Sequence, residues 1–369
     1  MAEYPGKTYN LDAQKIWNKF KKHTLVTGFT LRQDEMDYKN WALDHWGSTH
    51  SKNNLNYDSG GKAATLALFA QDEFAFAEKW KLFAGLRFDR YSNREGYSNH
   101  YGNSTHLRYP SSRYREFSPK LAVEFKPDES GSYYASYGHS FRPPDLYQLY
   151  RTSSYSSTSS YHYVGNPWVT PETSDTFEIG LKKKLTRKLA LNAYAFESKT
   201  RDAIVAVQYP AGTFPVYLDP TMPVRAYTNV DREKRRGASA ALDYRLDRNY
   251  SAFLNYTWQE GKYTGGSSQG AIISSIPRHL LHAGIAYNDE KWQASLNGTY
   301  VSQRNAPGTP TGIYYLSYDP YFIANLRVAY KITKASRVSL FVNNLFDREY
   351  YQDYIAPGRT YGLEVRLGF

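Results

Sequence analysis

The chain has 369 residues, no cysteine and a formal charge of +11, with a mean hydropathy of −0.67. Without thiols it can form no disulfide, thiolate metal site or cysteine-based catalyst, and no apolar run reaches the eighteen or so residues that a transmembrane helix needs. The low hydropathy does not weigh against a membrane β-barrel, in which only alternate residues face lipid, and the basic residues are spread along the chain instead of forming the patch that marks a nucleic-acid binder.

Met1-Ala2-Glu3-Tyr4-Pro5 at the start has no basic stretch followed by an apolar one, so it does not read as an export signal. Short turns then recur at Phe20-Lys21-Lys22-His23, Ala77-Glu78-Lys79, Pro127 to Gly131, Leu185-Thr186-Arg187, Leu246 to Asn249, Asn288-Asp289-Glu290 and Ile332 to Ser336. Between them lie long polar loops at roughly 43–62, 95–112, 143–172, 207–224, 264–277, 305–319 and 347–357, rich in Tyr, Ser, Asn, Gly and Pro. Short and long connections that alternate strictly are the pattern of an up-and-down barrel in an outer membrane, with tight turns on the periplasmic side and long loops outside. A soluble sandwich or propeller orders its connections less regularly.

Toward the C-terminus the strands themselves are legible. Tyr250, Ala252, Leu254, Tyr256 and Trp258 alternate with Ser251, Asn255 and Thr257, and Trp292, Ala294, Leu296, Gly298 and Tyr300 alternate with Gln293, Ser295, Asn297 and Thr299. Phe322, Ala324, Leu326, Val328 and Tyr330 stand opposite Asn325 and Arg327, then Val338, Leu340 and Val342 opposite Arg337, Ser339 and Asn343. Tyr361, Leu363, Val365, Leu367 and Phe369 close the series opposite Glu364, Arg366 and Gly368. Each segment has one apolar face, and an aromatic ring at both ends of a segment of about 9–11 residues suits a bilayer crossing. The 36 tyrosines outnumber the 18 phenylalanines, as expected where apolar and wet surroundings meet. The alternation counts about fifteen strands. Single-chain bacterial barrels have even numbers and leave no open edge in lipid. The expected fold is therefore all-β, an antiparallel up-and-down transmembrane barrel truncated on its N-terminal side.

Two stretches, Ser140-Phe141-Arg142-Pro143-Pro144-Asp145-Leu146 and Gly165-Asn166-Pro167-Trp168-Val169-Thr170-Pro171-Glu172-Thr173-Ser174, resemble in order and spacing the paired motifs of TonB-dependent outer-membrane receptors. Asn343-Asn344-Leu345-Phe346-Asp347-Arg348-Glu349-Tyr350 is similar to the penultimate-strand motif of that family, and Phe369 to its terminal barrel-assembly signal. The resemblance spans essentially the whole chain and the C-terminal portion of the family's barrel, which has about 22 strands around a plug. It implies an outer-membrane component that takes up a metal complex such as a ferric siderophore, haem or cobalamin, with no catalytic residue and no cofactor. The partners it implies are that ligand, outer-membrane lipid, and TonB through a plug segment not found in this sequence. A truncated passive or non-transporting barrel remnant is the alternative, and a soluble β-rich carbohydrate binder a third reading.

Ligand contact is expected from the loop that carries Tyr147, Tyr150, Arg151, Tyr155, Tyr161, His162 and Tyr163 in a Ser/Thr background, an adaptable surface of rings and hydrogen-bonding groups; the plain reading is a solvated loop without a ligand. His162 lies between the paired motifs, where the family's haem importers place an iron-ligating histidine, and is the one metal candidate. His45, His50, His100 and His106 have no three-ligand spacing on a rigid element and read as surface residues. The inward arginines Arg245, Arg327 and Arg366 would either draw an anionic chelate or pair with Asp243 and Glu364, and pairing is the expectation because both signs are present. Trp292, Tyr300, Tyr330 and Phe369 are expected to anchor the wall at the membrane interfaces.

Overall fold

Among the described residues fifteen long strands carry the chain back and forth: β1 Gly6–Phe20, β2 His23–Leu43, β3 Lys52–Ala77, β4 Trp80–His100, β5 Ser112–Asp128, β6 Gly131–Arg142, β7 Glu172–Lys184, β8 Leu189–Tyr209, β9 Val224–Arg245, β10 Tyr250–Tyr263, β11 His279–Asn288, β12 Trp292–Val301, β13 Tyr321–Lys331, β14 Arg337–Asn343 and β15 Thr360–Arg366. The computed structural model describes residues 1–153, 161–214, 221–266, 269–273, 276–305, 317–333, 335–352 and 354–368. Tyr155 and Phe369 therefore lie outside the described residues. Each long strand pairs antiparallel with its sequence neighbours, and with four short strands they make one sheet of nineteen. The short turns fall where the alternation puts them, at the β1–β2, β3–β4, β5–β6, β7–β8, β9–β10, β11–β12 and β13–β14 junctions.

The two faces of the wall differ as a barrel's must. Leu11, Leu31, Leu68, Leu86, Phe117, Ile179, Ile285, Leu296, Leu340 and Leu363 are exposed on one face, and a band of exposed apolar side chains is what hydrocarbon requires. Rings gather at the short-turn ends: Trp80 lies 4.5 Å from Phe125, Tyr250 4.7 Å from Tyr287, and Trp292 4.9 Å from Tyr330. Such girdles mark a membrane interface. On the inner face Glu364 receives Arg327 at 2.9 Å and Arg337 at 3.4 Å, so of the three inward arginines Arg327 is paired as expected. Arg245 and Arg366 make no ion pair among the described residues.

Two of the expected loops continue the wall strands for part of their length. β3 already begins at Lys52, inside the span 43–62, and β4 runs to His100 with Thr105–Tyr109 paired against it. Beyond the bilayer both faces of a strand are wet, so the apolar alternation fades while the backbone ladder persists.

The buried core is not spread along the wall. It sits where the β6–β7 connection folds inward as a short helix, α1 Leu146–Tyr150. This helix touches β2, β3 and β4 on one side and β9 on the other. One short helix reaching strands that far apart in the sheet order means that the wall curls around it.

Candidate ligand-binding site

The inward-folded segment is held first at its base. Arg142 ends β6 directly opposite Glu172 at the start of β7; its Nε donates to Glu172 Oε1 at 2.6 Å, and Glu172 Oε2 accepts the Ile204 amide of β8 at 2.7 Å. One carboxylate thus joins the two motif stretches to a third strand. Glu172→Ala is expected to loosen the segment by about 1–3 kcal/mol, since it orphans a backbone donor, and Glu172→Gln by less, since an acceptor remains. Hydrogen exchange at the Ile204 amide checks this: equal protection in both variants would show that the clasp is idle.

Pro143 and Pro144 hold the backbone extended and delay the helix, and the Pro144 carbonyl accepts the Tyr91 hydroxyl at 2.9 Å. Asp145 then caps α1 reciprocally, accepting the Gln148 amide at 2.7 Å while Gln148 Oε1 accepts the Asp145 amide at 3.1 Å. So capped, the helix turns Leu146, Leu149 and Tyr150 into a cluster with Ala63, Tyr91, Val169 and Ile204. The Tyr150 ring lies on Gly61 and Gly96, stacks on Tyr109 at 5.6 Å, and is so buried that its phenol is pushed up to about 12. The second motif locks onto the first through Asn166, whose amide donates to the Gln148 carbonyl at 2.9 Å and whose Nδ2 donates to the Tyr227 carbonyl at 2.9 Å. Gly165 admits no side chain, for a Cβ there would stand 2.6 Å from the Leu149 carbonyl.

Above this core lies a ladder of rings and guanidinium groups. Arg151 sits 4.6 Å over Tyr147 and 5.2 Å over Tyr163, and Arg225 sits 5.4 Å over Tyr163 and 5.8 Å over Tyr161. The order follows from pairing: His162–Val164 runs parallel to Val224–Ala226, placing Tyr163 beside Arg225 and His162 beside Val224. Because side chains alternate along a strand, Tyr161 and Tyr163 share the Arg225 face while His162 takes the other, with Val164, Val224 and Ala226, where it is buried. Tyr147 extends the ring surface to Tyr4, 6.4 Å away, and Tyr4 to Tyr38 at 4.9 Å. Tyr227 stands 6.4 Å from Tyr147 on the other side. Among the described residues no carboxylate lies within ion-pair distance of Arg151 or Arg225. Burial pushes the Tyr163 phenol up against the pull of Arg225, so the formal charge of the ladder is that of its two arginines.

Of the seven residues expected from sequence, the fold therefore brings together Tyr147, Arg151, Tyr161 and Tyr163. Tyr150 belongs to the core beneath them, and His162 faces the opposite way. Arg225, Tyr227 and Tyr38 join from distant strands and Tyr4 from the segment just before β1; only tertiary pairing, which no local pattern carries, selects them. Among the described residues no three His, Asp or Glu side chains gather as a metal site; His100 lies against Tyr57 with the ring centroids 4.5 Å apart and the planes tilted, and His106 lies 3.1 Å from Asn99 Oδ1. The penultimate-strand motif closes a turn: Asn344, at φ +50°, holds Arg348 through both its backbone amide and carbonyl, and Asp347 Oδ1 accepts the Arg359 amide at 2.7 Å.

An antiparallel wall that is apolar outside, girdled by rings and crossed within by a packed segment is a transmembrane β-barrel of the outer-membrane type. The family model described as TonB dependent receptor-like, beta-barrel matches residues 3–345, and the chain belongs to that family of the bacterial outer membrane. It is 25% identical over 316 residues to an iron-regulated outer membrane virulence protein of Vibrio cholerae, covering 82% of this chain and 44% of the relative. It is 24% identical over 300 residues to the vitamin B12 transporter BtuB of Vibrio cholerae, covering 79% and 40%. The structure superimposes on the copper transporter OprC with a TM-score of 0.78 at 19% identity, over 100% of this chain and 57% of that one. The chain thus spans less than half the length of these two curated relatives.

Proposed function

We propose that this chain forms the ligand-facing outer part of an uptake receptor for a metal complex, with a negatively charged chelate such as a ferric siderophore as the preferred cargo and TonB supplying energy by way of a plug. The observation that carries the reading is the ladder of two arginines without carboxylate partners among the described residues, stacked on Tyr147, Tyr161 and Tyr163. Rings supply flat contact to an aromatic or heterocyclic chelator, and a partly desolvated guanidinium attracts its charge. The relatives' names, which speak of iron regulation, vitamin B12 and copper, support a metal-bearing cargo. A packed segment across the interior favours this reading over a passive pore. His162 would have to turn out of its buried face to meet a ligand on the ladder, so haem ligation forms no part of the proposal.

The test uses two probes of different charge, an anionic ferric tris-catecholate and a neutral ferric tris-hydroxamate, with binding read by quenching of tryptophan fluorescence. In the Arg151→Gln/Arg225→Gln variant the anionic probe is expected to bind at least about tenfold more weakly, equivalent to the roughly 1.4 kcal/mol of a partly desolvated cation. The neutral probe should move little. Equal loss for both probes, or for neither, would overturn the reading.

A further inference from the structure

On the outside of the wall, far from the ladder, the apolar band ends in arginines. Climbing β4 from its short turn, the outward face runs from Trp80 through Leu86 and Phe88 to Arg90, and then by way of Ser92 to Arg94. β5 mirrors it, Phe117 giving way to Arg115 and Arg113, with Arg90 directly opposite Arg115 and Ser92 opposite Arg113. Trp80 and Phe125 mark the inner interface. From Trp80 to Arg90 is a rise of about ten residues, which a strand tilted by ~45° converts to roughly 24 Å, the height of the apolar band. All four arginines are exposed, and they stand at the level of the outer-leaflet headgroups.

Like charges directly across a ladder repel, and nothing in the wall relieves them. Among the described residues Arg90, Arg113 and Arg115 have no carboxylate within ion-pair distance. Arg94 is 3.8 Å from Glu95, but Glu95 is already held by Lys62 at 2.6 Å. Glu35, in the same outward row as Lys62, accepts Gln33 at 2.8 Å. Beside the arginines a groove of about 570 Å³ runs from Arg94, Arg113 and Arg90 across to Leu66, directly opposite Arg90, and on to Leu31, opposite Leu66; Arg115, on the other side of Arg90, adjoins it. Its charged rim would neutralise a multiply anionic headgroup, and its apolar floor continues the lipid-facing band.

We propose that this groove is a binding site for a phosphorylated glycolipid of the outer leaflet, with phosphate bridging Arg90, Arg113 and Arg115, Arg94 at the rim, and an acyl chain laid along Leu66 and Leu31. Free phosphate would satisfy the same arginines but leaves the apolar floor unused, so the lipid is the occupant the groove fits. Charge-assisted, bidentate contacts make arginine the suited partner for phosphate, and anionic headgroups hold basic residues at a membrane surface.

Native mass spectrometry of the protein extracted from outer membranes tests this, with a bisphosphorylated acylated disaccharide, its dephosphorylated form and inorganic phosphate as probes. The parent protein is expected to retain the bisphosphorylated lipid, and Arg90→Gln/Arg113→Gln/Arg115→Gln to retain at least tenfold less. The Arg90→Lys/Arg113→Lys/Arg115→Lys variant keeps the charge and should recover most of that loss, which separates lost recognition from lost folding. Millimolar inorganic phosphate should leave the lipid in place. Full retention by the glutamine variant, equal retention of the dephosphorylated lipid, or displacement by inorganic phosphate would each overturn the assignment.

Discussion

Gly96→Val is expected to throw the Tyr150 ring off the wall and undock the whole β6–β7 segment. A Cβ at Gly96 would stand 2.4 Å from Tyr150 Cε1, and one at Gly61 would stand 2.6 Å from Cε2 of the same ring. Neither contact can be relieved by a small shift, because Tyr150 is pinned from behind by Tyr109 and sits among Leu146 and Leu149. Deleting the ring should be as costly: large-to-small changes at buried aromatic positions cost about 3–5 kcal/mol. Here the loss falls on the docking of one segment, since the strand ladder does not depend on it. The expected readout is rapid proteolysis within 143–171 of an otherwise resistant barrel, in both Gly96→Val and Tyr150→Ala. The two changes act on one contact, so the double variant should be little worse than either alone. A Gly96→Val barrel whose segment resists protease as well as the parent's would remove the glycine floor from the account. Because Tyr147 and Arg151 flank Tyr150, the same variants should also weaken chelate binding without touching a ladder residue.

That dependence explains which parts of the protein were legible beforehand. The wall was, because each crossing repeats one constraint: alternate residues meet hydrocarbon, and the turns at the inner side are short. Phe322 to Tyr330 and Tyr361 to Leu367 declare their faces without reference to any other segment. Above the bilayer the constraint lapses, and the start of β3 at Lys52 and the continuation of β4 to His100 were hidden because wet strands need no apolar face. The ladder was half legible. Tyr147, Arg151, Tyr161 and Tyr163 were marked by composition, whereas separating His162 from its neighbours required the parallel register with Val224–Ala226. Arg225 had no local mark at all. Its place depends on a strand that pairs across a long connection, and such a pairing is fixed by tertiary contacts that a single segment does not encode.

Leu296→Arg puts the reading of the wall to its hardest test. Leu296 lies midway between the Trp292 and Tyr300 rings on β12, faces outward, and is paired with Ile285 on one side and Leu326 on the other. An arginine there has no water to reach within several residues along the strand, and near the midplane such a substitution costs about 2–4 kcal/mol. The same change at Tyr300, close to the interface, should cost roughly 0–1 kcal/mol because the side chain can extend to the headgroups. Thr299→Arg, one position away on the inner face, should stay within about 0.5 kcal/mol, as for an ordinary wet surface. Denaturant unfolding of the three variants in phospholipid vesicles gives the ranking. Hydrophobicity alone cannot produce it, since Leu296 and Tyr300 are both outward apolar groups and Thr299 adjoins Tyr300 in sequence; only depth in a bilayer combined with a two-residue period does. If Thr299→Arg proved as costly as Leu296→Arg, β12 would be buried on both faces and the wall would not be a membrane barrel.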